Sequence, residues 1–172
     1  MKVPDRCQIR PTTDMVREAI FSMLVSRAGR WSRMLDLYAG TGALGIEALS
    51  RDAEWVDFVD QQPRCCAIIK QNLANAGFAQ HSHVYCCSVT KALTFLEGSY
   101  DIIFIDPPYS DTTVGNLLTQ LDSSMYIHEE SLIVVPHASR SPLASDYGGL
   151  HVIKERRHGD TCISIYHRED HS

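Results

Sequence analysis

Short apolar runs alternate along this chain with stretches whose apolar residues recur every three or four positions. MLDLYAG (34–40), WVDFVD (55–60), HVYCC (83–87), YDIIFIDPP (100–108) and SLIVVPH (131–137) read as strands. The segments between them, 42–51, 63–77, 88–98 and 112–123, carry helical spacing, with Pro63 suited to a first turn and Gly77 to a stop. Regular strand–helix alternation predicts right-handed crossovers and a mostly parallel sheet with helices on both faces. Upstream, Met15, Ala19 and Met23 share a helical face with Val16, Ile20 and Leu24, so residues 10–28 are expected to form an N-terminal helical segment capped by Asp14. The tail breaks the alternation. His151 to Arg157 and Thr161 to Arg168 flank the tight turn at HGD, which predicts an antiparallel hairpin at one sheet edge.

Composition narrows the class. With 172 residues, 44% hydrophobic and 22% charged, the chain fits one α/β domain spanning 1–172. No run is long and apolar enough for a membrane span, and the N-terminus lacks the apolar core of a secretory signal, so a cytoplasmic protein with no membrane partner is expected. The six cysteines form no C-x-x-C pair and are expected to be buried, reduced thiols, with no metal. A net charge of −5 excludes a protein that grips naked nucleic acid over its whole surface. Any such site must be a local patch. The candidate clusters are Lys2, Arg6 and Arg10, then Arg27, Arg30 and Arg33, and last Lys154, Arg156, Arg157 and His158.

Two stretches carry chemistry. After the first strand, Gly40, Gly42 and Gly45 stand in G-x-G-x-x-G spacing at a helix start, where a ligand can approach the backbone. Asp60, at the end of the second strand, is placed to accept hydrogen bonds from a ribose diol. Asp36, inside an otherwise apolar strand, suits a cation better than a pyrophosphate. The second stretch is FIDPPYSD, residues 104–111. Prolines do not extend a sheet, so Pro107 and Pro108 hold Asp106 and Tyr109 stiffly at the fourth strand's carboxyl edge. There Tyr109 offers a stacking face, and the Asp106 carboxylate and Pro107 carbonyl offer acceptors for an extruded base. Two acceptors on an exocyclic amine favour a pyramidal nitrogen with its lone pair free for attack on a methyl group.

The chain resembles class I S-adenosylmethionine-dependent methyltransferases, and specifically the RsmD family of ribosomal RNA guanine-N2 methyltransferases. IRPTTDMVREAIFSML, LDLYAGTGALGIEALSR, DPPY and HGDTCISIYHR carry the likeness, in that order, from Ile9 to about Arg168. The resemblance implies a Rossmann-like, mostly parallel seven-stranded sheet with a C-terminal hairpin. It implies S-adenosylmethionine held by Asp36, Tyr38, Gly40, Gly42, Asp60, Gln61 and Ser88, and catalysis by Asp106, Pro107, Pro108 and Tyr109. Arg10, Thr12 and Thr13 are expected at the substrate mouth. The implied substrate is 16S rRNA within a small ribosomal subunit or assembly intermediate, at guanine 966, acted on by a monomer. The chain departs from the family in three ways. Ser88 replaces an acid after the third strand, Ser22 replaces a frequent Asn, and Met1 lies close to the helix where relatives usually carry a basic hairpin. Adenine N6 or another nucleic-acid amine, a nicotinamide oxidoreductase and a non-catalytic ribosome-assembly factor are the alternative readings.

Overall fold

The computed structural model describes residues 13–25, 31–107 and 113–168. In chain order its elements are α1 (Asp14–Val25), β1 (Arg33–Leu37), α2 (Ala43–Ser50), β2 (Trp55–Asp60), α3 (Pro63–Ala76), β3 (Ser82–Cys86), α4 (Val89–Ala92), β4 (Tyr100–Ile105), α5 (Val114–Asp122), β5 (Ile127–Ala138), β6 (Asp146–Tyr147), β7 (Leu150–His158) and β8 (Thr161–Arg168). They build one sheet in the order β3-β2-β1-β4-β5-β8-β7-β6. The first five strands of that order are parallel, and β8, β7 and β6 continue it antiparallel to their neighbours. The sheet therefore has eight strands, not the expected seven. The added strand, β6, is two residues of the SPLASDYGG loop, too short to leave an alternating pattern.

One core lies on each face. α1, α2 and α3 cover the face bearing Met34, Val56, Phe58, Phe104 and Val134. α4 and α5 cover the other, which bears Leu37, Val59, Ile103, Ile105 and Val135. In α1, Val16, Ala19, Ile20, Met23 and Leu24 are buried as expected, and Phe21 joins them, its ring meeting that of Phe104 at a tilt, centroids 5.8 Å apart. Met15 is instead 67% exposed. The cap also differs. Thr13 Oγ1 accepts from Val16 N at 3.2 Å, while Asp14 is already helical and pairs with Arg17.

Three further departures have specific physical causes. β1 ends at Leu37 because Tyr38 adopts the left-handed conformation, φ 57°. The expected helix over 88–98 shrinks to Val89–Ala92, since the Tyr126 hydroxyl shares its one hydrogen between the carbonyls of Leu93 and Leu96 and holds that turn open. β5 starts earlier than expected and bulges against β4, where Ser131 Oγ accepts from His128 N and donates to Tyr100 O. Arg33, counted among the candidate nucleic-acid contacts, is tied into the sheet where β1 begins. It donates to Asp57 at 3.3 Å, to Tyr100 OH at 3.2 Å and to Ser99 O at 3.1 Å, and covers the Tyr100 ring. Asp57 is also bonded by Tyr100 OH at 2.7 Å and Trp55 Nε1 at 2.9 Å, so this buried carboxylate is fully engaged. Cys65 is disulfide-bonded, against the expectation of reduced thiols, while Cys66, Cys86, Cys87 and Cys162 are free and only Cys66 of these is buried. Among the described residues no helix is long and apolar enough to cross a membrane.

Candidate active site

The crevice lies where β1, β2 and β4 end side by side. Leu37 is in register with both Val59 and Ile105, so the next residues, Tyr38, Asp60 and Asp106, emerge together at the carboxyl edge. In an open α/β sheet this edge is where ligands bind. The strands bring Asp60 and Asp106 within electrostatic reach of Asp36.

The glycine turn is bonded at every step. Ala39 N donates to Val59 O at 3.0 Å, Gly40 N to the Asp60 carboxylate at 2.9 Å, and Gly42 N to Ala39 O at 2.8 Å. Asn72 Nδ2 of α3, a buried polar group on an otherwise apolar face, donates to Thr41 O at 3.1 Å. Asn72 escaped notice in the sequence; its only signal was a polar residue beside Ile69 and Leu73 at core spacing. Gly40 and Gly42 have φ of 62° and 81°, which favours glycine at both. A Cβ on Gly42 would meet Ile69 at 3.2 Å and Ile46 at 3.3 Å, so packing also limits that position. A Cβ on Gly45 would lie 2.3 Å from Phe58, so this glycine lets α2 settle against β2.

Asp36 accepts from Gly45 N at 3.0 Å and is 1% exposed. Burial pushes its carboxyl well above the ordinary aspartate range; the Gly45 N–H pulls it back, and Asp106 and Asp60 add repulsion. Asp60 accepts from Gly40 N and, through its other oxygen, from Gln62 N at 2.9 Å; burial raises its pKa too. Each oxygen keeps a lone pair for a further donor. Its main-chain carbonyl receives Cys87 N at 3.1 Å and the Cys66 thiol at 3.2 Å, and burial pushes that thiol up to about 12, keeping it neutral. A crevice ringed by acids repels phosphate and favours a cation.

The remaining expected site residues divide into four groups. Gln61 is exposed beside Asp60, and Asp106 and Pro107 are half-buried at the edge. Ser88 lies in the loop after β3, where its Oγ accepts from Lys91 N at 3.1 Å and caps α4. Thr13 is exposed and caps α1. Arg10, Thr12, Pro108 and Tyr109 lie outside the described residues.

The raised carboxyl of Asp36 has a measurable consequence. Its folded pKa exceeds its unfolded value, so between the two the native state holds the extra proton, and stability falls as pH rises through that window. Asp36→Asn keeps an oxygen for Gly45 N–H and removes the opposed charge. The ligand-free variant is expected to melt a few degrees above the parent at neutral pH, with the advantage vanishing below the ordinary aspartate range. Thermal scans across pH check this, and a gain that persists unchanged into acid would contradict it.

Comparison with known proteins extends this picture. The family described as Conserved hypothetical protein 95 matches residues 1–167. YlbH of Bacillus subtilis (strain 168), named provisionally as an rRNA methyltransferase, is 37% identical over 160 residues, covering 91% of this chain and 86% of its own. Ribosomal RNA small subunit methyltransferase D of Escherichia coli (strain K12) is 30% identical over 174 residues, covering 98% of this chain and 84% of its own. A conserved hypothetical protein of Streptococcus pyogenes superposes with a TM-score of 0.83 at 29% identity, covering 91% of this chain and 98% of that one.

Proposed function

The chain belongs to the Conserved hypothetical protein 95 family, the RsmD-type class I methyltransferases, and on that footing we propose that it methylates the exocyclic N2 amine of a guanine in small-subunit ribosomal RNA, at guanine 966. The observation that carries this reading is the pairing, on one sheet edge, of an acid-lined glycine crevice with the DPPY stretch that begins at Asp106.

The crevice suits S-adenosylmethionine. When bound, that cofactor supplies an electrophilic methyl on a sulfonium, and its other cationic group is an ammonium. Asp36 and Asp60 favour such charges, where a nicotinamide dinucleotide would bring a pyrophosphate against both acids. Asp60 and Gln61 would hold the ribose, and Tyr38, Gly40 and Gly42 would line the remainder. Ser88 would meet the adenine with an oxygen already shared with Lys91 N. At the other side of the edge, the Asp106 carboxylate and the Pro107 carbonyl accept the amine hydrogens, keep the lone pair directed outward and offset the positive charge that grows on nitrogen. In this reading Pro108 and Tyr109 would complete the base pocket, Tyr109 by stacking. Arg10, Thr12 and Thr13 would flank the mouth.

Calorimetry tests the cofactor half. S-adenosylmethionine and its demethylated product are expected to bind, Asp36→Asn to weaken both, and NAD to give no signal; NAD binding without S-adenosylmethionine binding would overturn the reading. The substrate half concerns form. With net charge −5, phosphate contacts alone give weak, salt-sensitive binding, and a ribosomal particle adds protein contacts and presents the base in a loop. Transfer to small-subunit particles is therefore expected to outpace transfer to protein-free RNA at physiological salt. A faster rate on the free RNA would reject that preference.

A further inference from the structure

A second set of reactive groups lies on the C-terminal half of the sheet. His137 of β5, Glu155 of β7 and Cys162 of β8 bring an imidazole nitrogen, a carboxylate oxygen and a thiol sulfur within 4.8 Å of one another. Strand pairing assembles them. His137 stands opposite Cys162 in the β5–β8 ladder, and Glu155 stands opposite Ser164 in the β7–β8 ladder. Side chains on a strand repeat every second residue, so Cys162 and Ser164 share a face.

Neighbouring hydrogen bonds aim the donors. His137 Nδ1 lies 3.2 Å from Ser141 O and 3.3 Å from Ala138 O. Carbonyl oxygens only accept, so Nδ1 carries a hydrogen, and in the neutral ring that tautomer leaves Nε2 as the ligating atom. A backbone carbonyl behind the non-ligating nitrogen is the usual support of a metal-bound imidazole. Nε2 meets Ser164 Oγ at 2.9 Å, and that same hydroxyl lies 3.0 Å from Glu155 Oε1. Ser164 is fully buried and has one hydrogen to share between two acceptors. A cation seated among Nε2, the carboxylate and the sulfur would satisfy the lone pair that the hydroxyl leaves over.

We propose that His137, Glu155 and Cys162 form a binding site for a thiophilic divalent metal ion, zinc being the best match. Calcium and magnesium take oxygen donors, whereas a mixed nitrogen, oxygen and sulfur set suits zinc, with water in the fourth tetrahedral position. On binding, the Cys162 S–H bond is exchanged for a sulfur–zinc bond and the proton is released to solvent. The ion would tie β7 and β8 to β5, the last parallel strand, and so clamp the hairpin to the sheet that carries the crevice.

The test uses the full chain, stripped of metal with the Cys65 disulfide left intact and Cys162 a free thiol. Zinc is titrated against a chromophoric chelator, and cobalt is substituted as a spectroscopic probe. The parent is expected to bind zinc, to show a thiolate-to-cobalt charge-transfer band, and to melt higher with zinc present. Cys162→Ser should lose the band and the thermal shift. Glu155→Gln, at an exposed position that cannot disturb the core, should weaken zinc by about 10- to 100-fold or more, the scale set by weaker outer contacts. Cys86→Ser should bind as the parent does. No charge-transfer band in the parent, a band that survives Cys162→Ser, or parental affinity in Glu155→Gln would each overturn the site.

Discussion

Asp106→Ala is expected to slow methyl transfer by about 10²- to 10³-fold, the usual loss when one hydrogen-bond partner of a transition state is removed. S-adenosylmethionine affinity should change little, because Asp60 and the glycine turn are bonded to one another without Asp106. Single-turnover rates and calorimetry on the same preparation separate the two effects. Asp106→Asn adds resolution. It keeps a carbonyl acceptor and should retain more activity than the alanine variant if acceptance alone is the role; equal losses would show that the negative charge is needed. Asp106 also repels Asp36 across the crevice, so either variant should make the Asp36 carboxyl easier to ionise.

The second large effect concerns Gly45. In an exposed helix, glycine to alanine stabilises by about 1 kcal/mol. Here the sign reverses, since the new Cβ would lie 2.3 Å from Cε1 and 2.6 Å from Cζ of Phe58, whose ring is fully buried. Gly45→Val should cost about 3 kcal/mol, at the upper end of overpacking, and lower the melting midpoint by ~6–12 °C. Gly45→Ala should cost less but still destabilise. Moving α2 away from β2 would also lengthen the Gly45 N–H bond to Asp36, so cofactor affinity should fall along with stability. An alanine variant as stable as the parent would show that the helix can shift freely at this point.

How much of this was readable beforehand depended on whether the signal was local. The glycine turn, the end of β4 before Asp106 and the hairpin from β7 to β8 were legible because proline, glycine and alternation act through neighbouring residues. The shortening of α4 was not, since the hydroxyl that holds its last turn open belongs to Tyr126, beyond β4 and α5. Arg33 looked like any surface cation until β4 placed Tyr100 and β2 placed Asp57 beside it. For Gly42 the position was found but part of its reason was missed: its left-handed backbone and its packing against Ile69 and Ile46 already call for glycine before any ligand is considered. The cluster of His137, Glu155 and Cys162 shows the limit most plainly. No spacing motif links residues on three strands, and only the ladder order brings them together.

The central claim is that Asp106 presents a guanine amine to a methyl donor bound at the glycine crevice. The most direct measurement gives the purified chain isotopically methyl-labelled S-adenosylmethionine and small-subunit particles that lack the modification, then digests the RNA to nucleosides for mass spectrometry. The account predicts label in N2-methylguanosine, lost when Asp106→Ala replaces the parent. Label in N6-methyladenosine, or unlabelled RNA from a protein that binds the cofactor, would contradict it.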